Sequence, residues 1–351
     1  MFPETFAEHW LAQLTKPDDL VLDPFCGRGT LPFQALLMGR RAIGCDTNPV
    51  AHCISRAKTN APAMGRVLSR IAALEAAYSK RRIEKEVARL PDFFQFAYHD
   101  KTLHQIVFLR RALNHKTSLV DGMIAALVLG SLHGETDRSR RFLSNQMPHT
   151  ISTKPCYSIR FWKERRHQAP ERDVFALLKA QLSYRYETGL PEGRATILNI
   201  DMRDLPRQSN KIDGAISCVV TSPPYFDVTN YAEDQWLRLW FLGGPPEPRR
   251  QEFSKDDRHG NADQYWLMLA DMWRMLSLVL DKNADIVIRV GATRISPNRL
   301  VTGLDGVAKV ANRRVRLVNS YFSELVKRQT DSFRPGSKGC RIEVDCHFRM
   351  A

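Results

Sequence analysis

Leu20–Asp23 is a short apolar run that ends at Pro24 and a glycine-containing turn, the pattern of a fully buried strand. A helix is expected from about Leu31 and a second strand over Arg41–Asp46. Asn48-Pro49 then opens another helix toward Asn60, with Pro49 at the favoured first-turn position. Strand, helix, strand, helix in this order predicts the start of a doubly wound α/β sheet. The rhythm then stops. Val67–Arg89 is charged and helix-prone, and two further helices are expected over Thr102–His115 and Ser118–His133, the second apolar enough through Met123–Leu129 to be core. Glu135–Arg166 reads as polar and irregular, and Asp173–Tyr186 as helical again.

The α/β pattern resumes with strands at Ala195–Asp201 and Ile212–Ser222. Amphipathic helices are expected over Tyr231–Leu242 and Asp263–Leu280, and a strand over Asn283–Gly291. Val315–Glu324 is mixed, and Arg341–Phe348 alternates like a final, half-exposed strand. Gly243–Asn261, rich in Pro, Gly and charge, reads as a loop. There is no internal repeat and no low-complexity tract. The expected architecture is therefore an α/β core built from 1–60 and 195–351, interrupted by a largely helical insertion over 61–194.

At 351 residues, with 43% hydrophobic and 26% charged residues, the chain can bury one large domain and still carry that insertion. No window reaches the roughly 18–20 apolar residues of a membrane span. Met1-Phe2-Pro3-Glu4 does not open a signal peptide, so a cytoplasmic protein without membrane attachment is expected. The seven cysteines include no Cys-x-x-Cys pair, which favours buried thiols over a metal set, and no metal is expected. The net charge of +14 is uneven: residues 61–195 hold 23 basic against 13 acidic side chains, while residues 1–60 are balanced at 6 and 6. An excess concentrated in the insertion suits a grip on a polyanion.

Two strings carry the chemistry. Asp23-Pro24-Phe25-Cys26-Gly27-Arg28-Gly29-Thr30 is a glycine turn between a strand and a helix, where backbone can approach a ligand closely. Asp46, closing the second strand, can accept two ribose hydroxyls or cap the helix that follows. Thr221-Ser222-Pro223-Pro224-Tyr225 lies at the end of an apolar strand. The hydroxyl of Ser222 and the carbonyl of Pro223 are two acceptors for an amine. Pro224 lacks an N–H to compete for that carbonyl, and Tyr225 offers a flat face to a base. A cytosine C5 mechanism would need a nucleophilic Cys after Pro. Pro155-Cys156 has that order, but it sits in the basic insertion, away from a sheet strand.

Together the two strings resemble the signature of the DNA amino-methyltransferases, which act on exocyclic nitrogens of bases. The resemblance covers about residues 1–60 and 195–351 and implies a Rossmann-like class I methyltransferase sheet, mostly parallel with an antiparallel C-terminal strand. It implies S-adenosylmethionine as cofactor, held by Asp23, Pro24, Phe25, Cys26, Gly27, Gly29 and Thr30, by Asp46, Thr47 and Asn48, by Asp201 and Met202, and by Thr221. Asp201 would receive the cofactor's adenine amino group, with Asp204 as the competing candidate. Arg28 stands where relatives often have Ser. The catalytic set would be Ser222, Pro223, Pro224 and Tyr225, with in-line transfer and no covalent enzyme intermediate. Ser before Pro-Pro-Tyr leans toward cytosine N4, and Asp or Asn there toward adenine N6. An RNA enzyme and a catalytically silent nucleic-acid-binding subunit are more distant readings.

The implied partner is double-stranded DNA, with a cognate restriction endonuclease as a functional partner and either a monomer or a homodimer as the assembly. Within the insertion, Arg138, Arg140, Arg141 and Arg160 are candidates for phosphate contacts, and Asn145, Gln146 and His149 for base edges. Asp227–Tyr231 is placed to border a flipped base. Relatives usually place their insertion after the third motif. Here Asp201 follows the insertion, which is a departure from the pattern.

Overall fold

The computed structural model describes residues 2–134, 141–147, 154–226, 235–248, 261–292, 295–324, 340 and 342–351. The strands are β1 (Leu20–Asp23), β2 (Arg41–Cys45), β3 (Thr196–Leu198), β4 (Ile216–Thr221), β5 (Leu280–Gly291), β6 (Val315–Glu324) and β7 (Ile342–Met350). They form one sheet in the order β3-β2-β1-β4-β5-β7-β6. β1 to β5 run parallel, while β7 lies antiparallel between β5 and β6. This order, parallel except for an antiparallel C-terminal strand, matches the Rossmann-like class I sheet expected from the sequence. β1 is apolar without alternation because helices cover both of its faces, and all four of its residues are buried.

On one face pack α1 (Glu4–Leu14) and α2 (Thr30–Leu37), which bury Phe6, Trp10, Leu11, Leu31 and Ala35 against Val21, Val220 and Val287. α3 (Pro49–Thr59) follows β2. It is capped by Asn48, whose Oδ1 accepts from the Val50 N–H at 2.9 Å. The insertion supplies α4 (Met64–Ala77), α5 (Glu84–Val87), α6 (Asp92–Ala97), α7 (Asp100–Ala112), α8 (Leu119–Ser131), α9 (Pro155–Glu164) and α10 (Val174–Tyr186). It leaves and re-enters the sheet at one neck, where Asn60 Nδ2 donates to the Ala195 carbonyl at 2.9 Å. After β4 come α11 (Trp236–Phe241), α12 (Ala262–Val279) and α13 (Pro297–Ala308). α12 and α13 bury Tyr265, Met272, Trp273 and Leu304 on the opposite face of the sheet.

Three expectations are corrected. The stretch read as irregular contains α9, which Pro155 opens and which drives Phe161 and Trp162 into the insertion core. The strand expected over Ala195–Asp201 ends at Leu198, and Asp201 instead caps a short 3-10 stretch over Met202–Lys211. β7 alternates as expected, yet its polar face is not exposed. Glu343, Asp345 and His347 are buried, because β5 places Gly291, Arg289 and Val287 directly opposite them and α1 lies over that face. Arg349, at the far end of the same face, pairs with Asp285.

Candidate functional site

The site lies where the strand order reverses. The chain runs outward from β1 to β2 and, after the insertion, to β3; it then returns through the 3-10 stretch Met202–Lys211 and resumes as β4 on the other side of β1. The loops that leave the carboxyl ends of β1 and β4 therefore diverge around a crevice, the usual place for a ligand in an open α/β sheet. One bond fixes their spacing: Thr221 Oγ1 donates to Asp23 Oδ1 at 2.6 Å, across 198 residues of sequence. Both side chains are buried, Asp23 at 2% exposure. Burial pushes the Asp23 carboxyl up to about 7. The Asp46 charge adds to this, and hydrogen bonds from Thr221 and the Phe25 N–H oppose it.

The glycine turn is built for close approach. Gly27 and Gly29 have φ of +51° and +73°, the left-handed region that glycine enters without strain. A Cβ on Gly29 would sit 2.8 Å from Ser55 Oγ, so the turn is also pressed onto α3. Ser55 holds it by donating to the Gly27 carbonyl at 2.7 Å, and Cys26 N–H donates to the Cys45 carbonyl at 3.0 Å. Asp46 accepts from the Gly27 N–H through one oxygen and from the Asn48 N–H through the other, both at 2.8 Å. The carboxylate thus shapes the glycine turn, while Asn48 does the helix capping.

Of the remaining residues expected at the cofactor, Thr30 begins α2, and Pro24 and Cys26 are buried in the turn, with Phe25 half-buried beside them. The Thr47 carbonyl and the Asp46 carbonyl both accept from Asn199 Nδ2, which ties the ends of β2 and β3 together. Met202 is buried beneath the sheet. Asp201 is 7% exposed, and its two oxygens receive Arg203 Nε and Nη2 at 2.9 Å each. Asp204 pairs at the surface with Arg207. Arg28 is exposed at the mouth of the crevice, and its carbonyl accepts from Lys58 Nζ at 3.1 Å. The left-handed glycine cradle, the acidic group beneath it and the carboxylate at the end of β2 fit a nucleoside-bearing donor that carries a positive centre.

The second motif faces this cradle. Ser222 follows Thr221 directly, and its Oγ is buried with no hydrogen-bond partner among the described residues. Pro223 is buried and Pro224 half-buried. The Tyr225 hydroxyl donates to Glu343 Oε1 at 2.7 Å, and its ring lies against Gly291. Burial raises the Tyr225 phenol well above its ordinary value. The charge and hydrogen bond of Glu343 add to that, and the Ser222 hydroxyl and Arg289 counter it. Phe226 continues the backbone by pairing with Ala292 at the end of β5.

Residues 1–56 match the family model described as DNA methylase, the N6/N4 amino-methyltransferase model. The match covers the segment that carries α1, β1, the glycine turn, β2 and the start of α3. It is 27% identical over 244 residues to the Type II methyltransferase M.MvaI of Kocuria varians, an alignment covering 65% of this chain and 52% of that protein. The chain thus spans about half the length of the curated relative it matches. Among solved structures it is similar to TrmN from Thermus thermophilus, at a TM-score of 0.39 and 10% identity, covering 100% of this chain and 49% of that one. It is also similar to the rRNA methyltransferase aviRa from Streptomyces viridochromogenes, at a TM-score of 0.33 and 14% identity, covering 99% of this chain and 85% of that one.

The insertion carries several of its cations on aromatic rings. Arg141 lies over Tyr184 with 4.6 Å to the ring centroid, Arg160 over Tyr157 at 5.5 Å, and Arg165 over Phe161 at 4.0 Å. Asn145 leaves the set of base readers: it is 4% exposed, its Nδ2 donates to the Phe96 and His167 carbonyls, and its Oδ1 accepts from the Gln146 N–H. The Gln146 carbonyl accepts from Trp162 Nε1, which leaves the Gln146 side chain half-buried at the edge. Arg138, Arg140, His149 and Asp227–Tyr231 lie outside the described residues. Among the described residues no group of acidic, His and Cys side chains is arranged to hold a metal, and no helix is long and apolar enough to cross a membrane.

Two features of the site have no motif to announce them. Gln235 reaches the end of β2, where its Oε1 accepts from Asn48 Nδ2 at 3.3 Å. The buried charges of β5 and β7 stand behind Tyr225, and their one sequence signal is the alternation of charged and apolar residues in Ile342–Met350.

Proposed function

We propose that this chain methylates DNA at an exocyclic amine, with S-adenosylmethionine as donor and the N4 of a cytosine flipped out of the duplex as acceptor. The observation that carries this reading is the 2.6 Å bond from Thr221 to Asp23, which sets Ser222-Pro223-Pro224-Tyr225 beside the Gly27–Gly29 cradle. The donor supplies a methyl already activated on a sulfonium, which leaves as a neutral thioether. The protein's task is therefore alignment more than strong base catalysis. Gly27 and Gly29 receive the donor, Asp46 takes a ribose hydroxyl, and the carboxyl of Asp23 lies beneath the positive end. Because both oxygens of Asp201 are engaged, Arg203 is the group that must yield for an adenine contact there.

The unpartnered Ser222 hydroxyl accepts one amine hydrogen and the Pro223 carbonyl the other, which draws the nitrogen lone pair out of conjugation with the ring. The half-buried Tyr225 ring stacks on the extruded base. Ser at position 222 favours cytosine, and adenine N6 is the second reading. The insertion, with Arg141 and Arg160 on exposed tyrosines, supplies phosphate contacts.

The test is incubation of the protein with genomic DNA and labelled donor, followed by nucleoside mass spectrometry. N4-methylcytosine is expected. N6-methyladenine alone rejects the base assignment, and absence of label in DNA rejects the enzyme reading. Reversing Arg141 and Arg160 to Glu is expected to weaken DNA binding and to lower the salt slope by about one for each phosphate no longer neutralised. An unchanged slope removes that face from the interface.

A further inference from the structure

A chain of buried charge runs from the catalytic motif along one face of β5 and β7, and nothing in the motifs demands it. Tyr225 donates to Glu343 Oε1 at 2.7 Å. The other oxygen of Glu343 lies 3.3 Å from Arg289 Nη1. Arg289 binds Asp345 through two bonds of 2.6 and 2.7 Å, and its guanidinium lies 3.8 Å above the Phe6 ring. Arg289, Glu343 and Asp345 are each 8% exposed or less. The antiparallel register sets Arg289 opposite Asp345 and Gly291 opposite Glu343. The same Gly291 admits the Tyr225 ring, since a Cβ there would stand 3.0 Å from two ring carbons.

Tyr225 is therefore held at three points: by its backbone after Pro224, by the contact of two ring carbons with the side-chain-free Gly291, and by a charge-assisted bond at its hydroxyl. The hydroxyl bond and the close approach to Gly291 together fix where the ring lies. Arg289 and Asp345 keep Glu343 from turning, because the guanidinium fork accepts a narrow range of geometries. A buried charged network of this kind costs desolvation, and a well-packed apolar patch would serve stability as well.

We infer that Glu343 is a positioning residue of the methyl transfer, holding the Tyr225 hydroxyl so that the ring is set to meet the flipped base, with Arg289 and Asp345 holding Glu343 in turn. This rests on the DNA methyltransferase reading above. The phenol stays protonated across the working pH range, so the bond persists wherever the enzyme operates.

The experiment measures methyl transfer to genomic DNA by wild type, Glu343→Leu, Glu343→Gln, Tyr225→Phe and the double variant Tyr225→Phe/Glu343→Leu. Affinity for S-adenosylhomocysteine is read by calorimetry as a check on folding. Glu343→Leu and Tyr225→Phe are each expected to lower kcat by about 10-fold or more with the nucleoside affinity unchanged. The double variant is expected to match the worse single one, because both changes remove the same bond. Glu343→Gln, which still accepts from the phenol, is expected to recover most of the rate. Full activity in Glu343→Leu, or losses that multiply in the double variant, overturns the proposal. Should Glu343→Leu fail to bind the nucleoside, Glu343→Gln and Tyr225→Phe decide: equal losses in both overturn it, and a loss in Tyr225→Phe alone supports it. Wild type that transfers no methyl to DNA overturns the underlying functional reading and this proposal with it.

Discussion

Asp23 and Ser222 sit at the ends of neighbouring strands, β1 and β4, and burial perturbs both, raising the carboxyl of one and leaving the hydroxyl of the other without a hydrogen bond of good geometry. The Asp23 carboxyl ionises near 4 in an unfolded chain and at about 7 in the fold. Between those values the native state binds more protons than the unfolded state. Stability therefore falls as pH rises from about 4 to 7 and levels off above, a loss on the order of a few kcal/mol. Asp23→Asn is expected to remove this part of the pH dependence, as read by urea unfolding at pH 5 and pH 8. An unchanged pH profile would contradict it. The Ser222 hydroxyl is buried with no hydrogen bond of good geometry, its near neighbour being the Tyr225 phenol, a state that costs stability. Ser222→Ala is expected to lower turnover by about 10²-fold while Tm stays the same or rises. A fall in Tm with little loss of rate would assign the hydroxyl a structural role.

At the scale of elements, the β5–β7 ladder has two characters. On one face Ile286, Ile288 and Val290 oppose Phe348, Cys346 and Val344, a dry surface under α12 and α13. On the other face Asp285 opposes Arg349 and Arg289 opposes Asp345. Removing one member of a buried pair leaves a charge without compensation, which costs about 3–5 kcal/mol. Asp345→Ala is expected to show a loss of that size in chemical denaturation. A change under about 1 kcal/mol would mean that Glu343 alone satisfies Arg289. The strand alternation was legible in Ile342–Met350, but its burial was not. Period-two patterning reports which residues share a face, and only the overlying α1 with Phe6 and Trp10 decides whether that face is wet.

At the scale of the whole molecule, the insertion looks separable at its neck, where Asn60 meets Ala195, yet it shares its core with the sheet domain. Val50, Cys53 and Ala57 of α3 and Trp236, Leu237, Trp240 and Phe241 of α11 pack in one cluster with Phe94, Leu129 and Trp162. α11 follows the catalytic motif, so the insertion and the site are joined through it, with Arg238 Nε donating to the Leu129 carbonyl at 3.1 Å. Excising residues 61–194 is expected to leave a chain without dispersed amide NMR signals, because seven apolar side chains of α3 and α11 would lose their cover. A folded excised chain that still binds S-adenosylhomocysteine would show the insertion to be an independent unit.

The strand–helix alternation around β1 and β2, the glycine turn, its acidic neighbours and the Ser-Pro-Pro-Tyr string were determined by sequence alone, because each rests on local patterning or on residue types tied to one backbone conformation. The bond from Thr221 to Asp23, the pairing of Asp201 with Arg203, the burial of Asn145 and the support of Tyr225 by Glu343 were decided by tertiary structure. Each joins groups whose pairing depends on how the chain crosses the sheet or turns back on itself, and pairings of that kind leave no periodic mark along the sequence.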